Sequence, residues 1–138
     1  MLLKIEMAYF NLINQALDKQ ALHEFEAATD YDFYKELAKP GFLHLSSLSV
    51  SPKHQRKGIG KALVEVGMGI AATEQIPVTL EASMTGQRMY SALGFVVIEK
   101  HEIIEGFDGI AMLWEPPALK GRWLDRYADN AAKLKKTA

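Results

Sequence analysis

The chain has 138 residues, of which 49% are apolar and 24% charged, with a formal net charge of -1. That length fits one globular domain able to bury about two thirds of its unfolded surface. It contains no cysteine, which excludes a disulfide framework, a thiolate zinc site and a cysteine nucleophile together. A charge this close to zero supplies no global field for nucleic acid or membrane.

Residues 2–39 read as helical. Ile5, Ala8, Tyr9, Leu12, Ile13, Ala16 and Leu17 recur at three- and four-residue spacing on one face. Asp30 suits the N-cap of a short helix carrying Tyr31, Phe33, Tyr34 and Leu37. Pro40-Gly41 ends it. No apolar run nears the roughly 20 residues of a membrane span. The opening Met1 to Glu6 lacks the features of a secretory signal. A soluble, cytoplasmic protein is expected.

From Phe42 to Val50 a strand is expected, with an irregularity at Ser46-Ser47 where the alternation slips. A helix follows from about Gly58 to Glu74, with Leu63, Val66 and Ile70 expected to face inward. After Pro77 comes a short strand over 78–82, then a helix over 85–93 closed by Gly94. Residues 95–105 read as β. Gly106-Phe107-Asp108-Gly109 reads as a turn, and Ile110 to Trp114 as the returning hairpin strand. Beyond Pro116-Pro117, residues 119–136 are expected to form a closing helix with a basic tail. This amounts to one mixed α/β domain over 1–138: a helical lead-in over 1–40, a core over 42–115, and a C-terminal helix and tail over 119–138.

The informative segment is Val50-Ser51-Pro52-Lys53-His54-Gln55-Arg56-Lys57-Gly58-Ile59-Gly60-Lys61-Ala62-Leu63. A strand end feeds a tight turn that opens directly into a helix. The first helical N–H groups lack intrahelical partners, and with the helix dipole they form a donor cluster for an anion such as pyrophosphate. Glycines at 58 and 60 keep side chains off that surface. Each hydrogen bond to a charged oxygen contributes about 1.5–3 kcal/mol. The segment is neither a dinucleotide fingerprint, because Leu63 stands where the third glycine belongs, nor a Walker loop, because Ala62 follows Lys61.

It resembles the coenzyme A pyrophosphate loop of the GNAT (GCN5-related) N-acetyltransferase superfamily, Val-x-Pro-x-x-Gln/Arg-x-x-Gly-x-Gly/Ala-x-x-Leu. Val50, Pro52, Gln55, Gly58, Gly60 and Leu63 fill the named positions, Leu48 is the preceding strand hydrophobe, and Arg56-Lys57 is the basic filling. Further on, Leu80-Glu81-Ala82-Ser83 leads to Tyr90-Ser91-Ala92-Leu93-Gly94-Phe95. That stretch is similar to the second GNAT signature, a strand and a helix ending in Tyr-x-x-x-Gly-Phe, in a form that looks like fungal GNAT-like proteins. The resemblance spans about residues 42–115. A complete domain of that family carries strands before this point, so the chain reads as N-terminally shortened, with the strand at 42–50 on an exposed edge that invites a homodimer.

The resemblance implies a GNAT-like acyl-CoA N-acyltransferase fold with acetyl-CoA as cofactor. It places the pyrophosphate on Gln55, Arg56, Lys57, Gly58, Ile59, Gly60 and Lys61. The pantetheine arm falls along the backbone of Leu48 and Val50, with Ser83 where relatives carry an asparagine. Tyr90 corresponds to the phenol that faces the thioester sulfur, a general acid that remains protonated near neutral pH. His44, on the strand before the loop, and Glu81, at the end of the next, are the candidate bases. Phe95 is expected to pack the start of the following strand. The implied activity is acetyl transfer to a small-molecule amine or a protein amino group. The alternatives are a non-catalytic acyl-CoA-binding module and, less in keeping with the charge, a basic-loop nucleic-acid-binding domain. His54 reads as a solvated loop residue near the phosphate, and His23 and His101 have no partner at ligand spacing, so no metal is expected, and without Gly-x-Ser-x-Gly a serine hydrolase is not.

Overall fold

The computed structural model describes residues 41–126 and 131–135, together with Gln20. The helical reading of 2–39 therefore lies outside the described residues, Gln20 apart. Within them the elements run β1 (Leu43–Leu45), a 3-10 turn (Pro52–His54), α1 (Ile59–Glu74), β2 (Val78–Ala82) and α2 (Met84–Ala92). Then follow β3 (Val96–Ile104), β4 (Phe107–Trp114), a second 3-10 turn (Pro117–Leu119), β5 (Leu124–Arg126) and β6 (Ala132–Leu134).

Four strands form a mixed sheet in the order β1-β2-β4-β3, and β5 and β6 form a separate antiparallel pair. β1 and β2 are parallel, paired from Leu43↔Val78 to Leu45↔Leu80, and α1 is the crossover that parallel neighbours require. β2–β4 and β4–β3 are antiparallel. Alternation along β2 and β4 divides the core in two. Val78, Leu80, Ala82, Ile110, Met112 and Trp114 meet Val64 and Ala71 of α1 and Tyr90 of α2 on one face. On the other face Val96 and Leu113 pack with Trp123, Leu124 and Ala132.

Four sequence expectations need correction. The strand at 42–50 is only three residues long, because its pairing with β2 stops at Leu45↔Leu80 and the exposed Ser46 and Ser47 follow. The hairpin turn is tighter than expected: Ile104 pairs with Phe107, leaving Glu105-Gly106 as the turn with Gly106 at φ 78, and Phe107-Asp108-Gly109 belongs to β4. Leu63, Val66 and Ile70 do not face inward; they are 51%, 63% and 47% exposed, while Val64 and Ala71 are buried. The closing helix over 119–136 is replaced, in its described part, by β5 and β6.

Glu115 accounts for that last change. Its buried carboxylate accepts the N–H of Gly121 at 2.8 Å on one oxygen, and those of Trp123 at 2.7 Å and Leu124 at 3.0 Å on the other. Backbone donors spread over these positions, with Gly121 at φ 86, cannot belong to a helix. The turn is held extended, and Trp123 and Leu124 are delivered to the second core.

Candidate functional site

The loop between β1 and α1 is built from local bonds. The 3-10 turn places His54 N–H on the Ser51 carbonyl at 2.8 Å, and the Gln55 side-chain amide donates to the Val50 carbonyl at 3.0 Å. Gln55 thus ties the loop back onto the strand end. The chain enters α1 through Gly58 in the left-handed region, φ 79, two residues after Arg56 at φ 61. A residue other than glycine in that region costs about 1–2 kcal/mol, so Arg56 carries strain and Gly58 relieves it.

The entry leaves the N-terminus of α1 open. Gly58 makes no side-chain cap, and the first turn holds no acid. The first bond from helix to entry is Ala62 N–H to the Gly58 carbonyl at 3.0 Å, so the N–H groups of Ile59, Gly60 and Lys61 precede the helical ladder. Around them Arg56, Lys57, Ile59 and Lys61 are exposed. The result is a cationic, uncapped helix end, the arrangement that receives phosphate.

The two glycines differ in what requires them. A Cβ on Gly58 would meet nothing, so its backbone angle alone calls for glycine. A Cβ on Gly60 would sit 3.7 Å from Val50 Cγ2, 3.8 Å from Leu48 Cδ2 and 3.9 Å from Met89 Sδ, all ordinary contacts. Among the described residues nothing forbids a side chain at Gly60. The surplus space lies beside the open N–H groups of the helix end. The same contacts bring Leu48, Val50 and α2 together at the loop.

α2 begins at Ser83, whose hydroxyl accepts the Gly86 N–H at 3.1 Å and shares a 3.1 Å bond with Thr85. That capping position gives Ser83 a structural task at the place where a cofactor contact was expected. α2 ends with Phe95 N–H on the Tyr90 carbonyl at 3.1 Å and Gly94 N–H on Ser91 at 3.0 Å, with Gly94 at φ 95. This is the Schellman closure, and it fixes Tyr90 against Phe95. Their rings meet edge-on at 5.8 Å, Phe95 is almost fully buried beside the start of β3, and a Cβ at Gly86 would be only 3.3 Å from Tyr90 Cε2. Burial raises the Tyr90 phenol above its ordinary value near 10, so it stays protonated throughout the neutral range.

On the sheet face away from the helices, His44 Nδ1 lies 2.8 Å from Thr79 Oγ1, its register partner, and the ring stands edge-on to Phe42. Burial holds the His44 imidazole below its ordinary 6.5, which keeps it neutral at neutral pH. Glu81 lies two residues along β2 from Thr79, on the same face. Its carboxylate is 3.7 Å from His101 Nε2. His101 had no partner at ligand spacing in the sequence, and only the strand register reveals this one.

Among the described residues no cluster of three or more potential metal ligands occurs, and no helix is long and apolar enough to cross a membrane. Residues 14–116 match the family described as the acetyltransferase (GNAT) domain. The match reaches well upstream of β1, beyond the stretch that carries the two motifs, and takes in the loop, α1, α2 and the β3–β4 hairpin. With most of the chain covered and a mixed sheet that joins the β1–α1 loop to the Tyr90 helix, the protein belongs to the GNAT acetyltransferase family.

Proposed function

We propose that the protein is an N-acetyltransferase that moves an acetyl group from acetyl-CoA to an amine, on a small molecule or a protein. The observation that carries this reading is the open N-terminus of α1: uncapped, without an acid, cationic, and keeping a glycine at position 60 that protein packing does not demand. The family generally uses acetyl-CoA as co-substrate, which supplies the acetyl group as a thioester.

In this reading Ile59, Gly60 and Lys61 offer backbone N–H groups to the pyrophosphate, with Arg56 and Lys57 adding charge. β1 pairing ends at Leu45, while β2 continues to Ala82 against β4. Among the described residues, 46–49 pair with no strand, and in this reading their backbone receives the pantetheine arm, which Leu48 and Val50 flank. Tyr90 acts on the departing sulfur. A thiol titrates near 8.5 and a phenol near 10, so outright proton transfer from Tyr90 is uphill by roughly 2 kcal/mol or more. Its larger contribution is a hydrogen bond to the developing thiolate, with the proton passed on as nitrogen sheds its own.

The test is amine-dependent release of free thiol from acetyl-CoA by the purified chain, over a panel of alkylamines and peptides with free amino groups. Thiol release that saturates with one amine class supports the reading. Tight acetyl-CoA binding with no release for any amine would instead assign a non-catalytic acyl-CoA module.

A further inference from the structure

α2 contains a glycine that its backbone does not require. Gly86 lies within Met84–Ala92 and has no positive φ, so conformation alone would accept any helical residue there. Space is what excludes one. A Cβ on Gly86 would stand 3.3 Å from Ser83 Oγ and 3.3 Å from Tyr90 Cε2, with Tyr90 Cδ2 at 3.9 Å. The nearest contacts for a Cβ at Gly60, Gly67 and Gly94 are longer, at 3.7, 3.6 and 3.6 Å.

Helix geometry explains the encounter. A long side chain on a helix leans back over the preceding turn, onto the residue four positions earlier. Tyr90 therefore lies over Gly86. The part of the ring that comes closest is Cε2, which is bonded to the carbon bearing the hydroxyl. The ring has little room to yield. Phe95, almost fully buried, meets it edge-on at 5.8 Å, and Tyr90 belongs to the same core as Leu80 and Met112. Its carbonyl accepts the N–H groups of Leu93 and Phe95 where α2 ends. Ser83 Oγ is held as well, by the Gly86 N–H and by Thr85 Oγ1, each at 3.1 Å. A close-packed interior transmits a displacement rather than absorbing it.

We propose that Gly86 is a positioning residue: by placing no side chain beneath the phenol, it sets where the Tyr90 hydroxyl meets the sulfur of the acyl donor. This rests on the acetyl-transfer reading above. A methyl group at position 86 requires the ring to give by a few tenths of an ångström, and the hydroxyl, rigidly joined to the ring, moves with it. A misplacement of about 1 Å near the chemistry can cost on the order of a hundredfold in rate, so this smaller shift costs several-fold. Donor binding is spared, because the pyrophosphate is assigned to the N-terminus of α1. Gly86→Ala also changes no charge, so its effect is steric.

The experiment is a double-mutant cycle on the whole chain, with Gly86→Ala, Tyr90→Phe and the two combined, read as thiol release from acetyl-CoA with n-butylamine. Gly86→Ala alone should lower kcat about fivefold, with KM for acetyl-CoA within twofold of wild type and no fall in melting temperature. In the Tyr90→Phe background the same substitution should change kcat less than twofold, since no hydroxyl remains to misplace. A general defect of α2 would slow both backgrounds equally. In the free protein, a nuclear Overhauser contact between the Tyr90 ring and the Gly86 Hα protons should be present. Its absence, equal losses in both backgrounds, or an unchanged kcat with a lowered melting temperature (the Ser83 cap giving way instead of the ring) overturns the role of Gly86 alone. A wild type that binds acetyl-CoA but releases no thiol with n-butylamine or any other amine overturns the acetyl-transfer reading, and this role with it.

Discussion

His44 Nδ1 sits 2.8 Å from Thr79 Oγ1 on the register pair that joins β1 to β2, in surroundings that hold its imidazole below the ordinary 6.5. The unfolded chain then binds a proton at a higher pH than the folded one. The stability contribution of the neutral, buried ring is therefore complete above 6.5 and is lost as pH falls through the lowered folded value. Urea titration at pH 7.5 and pH 5.5 should show the wild type losing more stability on acidification than His44→Gln does.

Glu115 should be among the most sensitive single positions. Its carboxylate, 4% exposed, is the acceptor for three backbone N–H groups that hold the β5 turn. Glu115→Gln replaces one accepting oxygen with a donor that faces N–H groups. Equilibrium unfolding should show a loss of about 2–4 kcal/mol, given the cost of stranding buried donors.

Tyr90→Phe keeps the ring that packs edge-on to Phe95 and removes only the hydroxyl. The fold should stay within about 1 kcal/mol of wild type. Steady-state kinetics with an accepted amine should show kcat reduced about a hundredfold or more, as for a lost hydrogen-bond donor to developing charge, with KM for acetyl-CoA nearly unchanged.

The elements bounded by strong local chemistry were legible in the sequence. Pro77 and Ser83 bracket β2, and Ser83 and Gly94 bracket α2, because a cap and a left-handed glycine act within a few residues. The orientation of α1 was not legible. A Cβ at Gly67 would lie 3.6 Å from Leu43 Cδ2, so the helix lies close over the sheet and, Met68 apart, its inward face is made of the smaller residues Gly60, Val64, Gly67 and Ala71. Bulk therefore marks the outward face, with Ile59, Leu63, Val66 and Ile70 exposed. β5 and β6 were missed because the Glu115 bonds that hold the turn span six to nine positions and leave no periodic trace. The cofactor loop could be read from spacing, whereas the Glu81–His101 pair could not.

The glycines of the loop separate fold from ligand. Gly58→Ala should cost about 1–2 kcal/mol, since its φ of 79 is left-handed. Gly60→Ala should be neutral or stabilising by up to about 1 kcal/mol, since its Cβ would meet only ordinary contacts at 3.7 Å and beyond. Thermal or urea unfolding of the two variants checks the ordering.

The most direct measurement of the central claim is calorimetric titration of acetyl-CoA into the wild-type chain and into Gly60→Ala and Gly60→Glu, all shown to be folded. The account predicts saturable binding to wild type, at least tenfold weaker binding to the alanine variant despite its equal or greater stability, and none to the glutamate variant. Equal affinity in all three, or no binding by the folded wild type, would contradict the assignment of the α1 N-terminus as the pyrophosphate site.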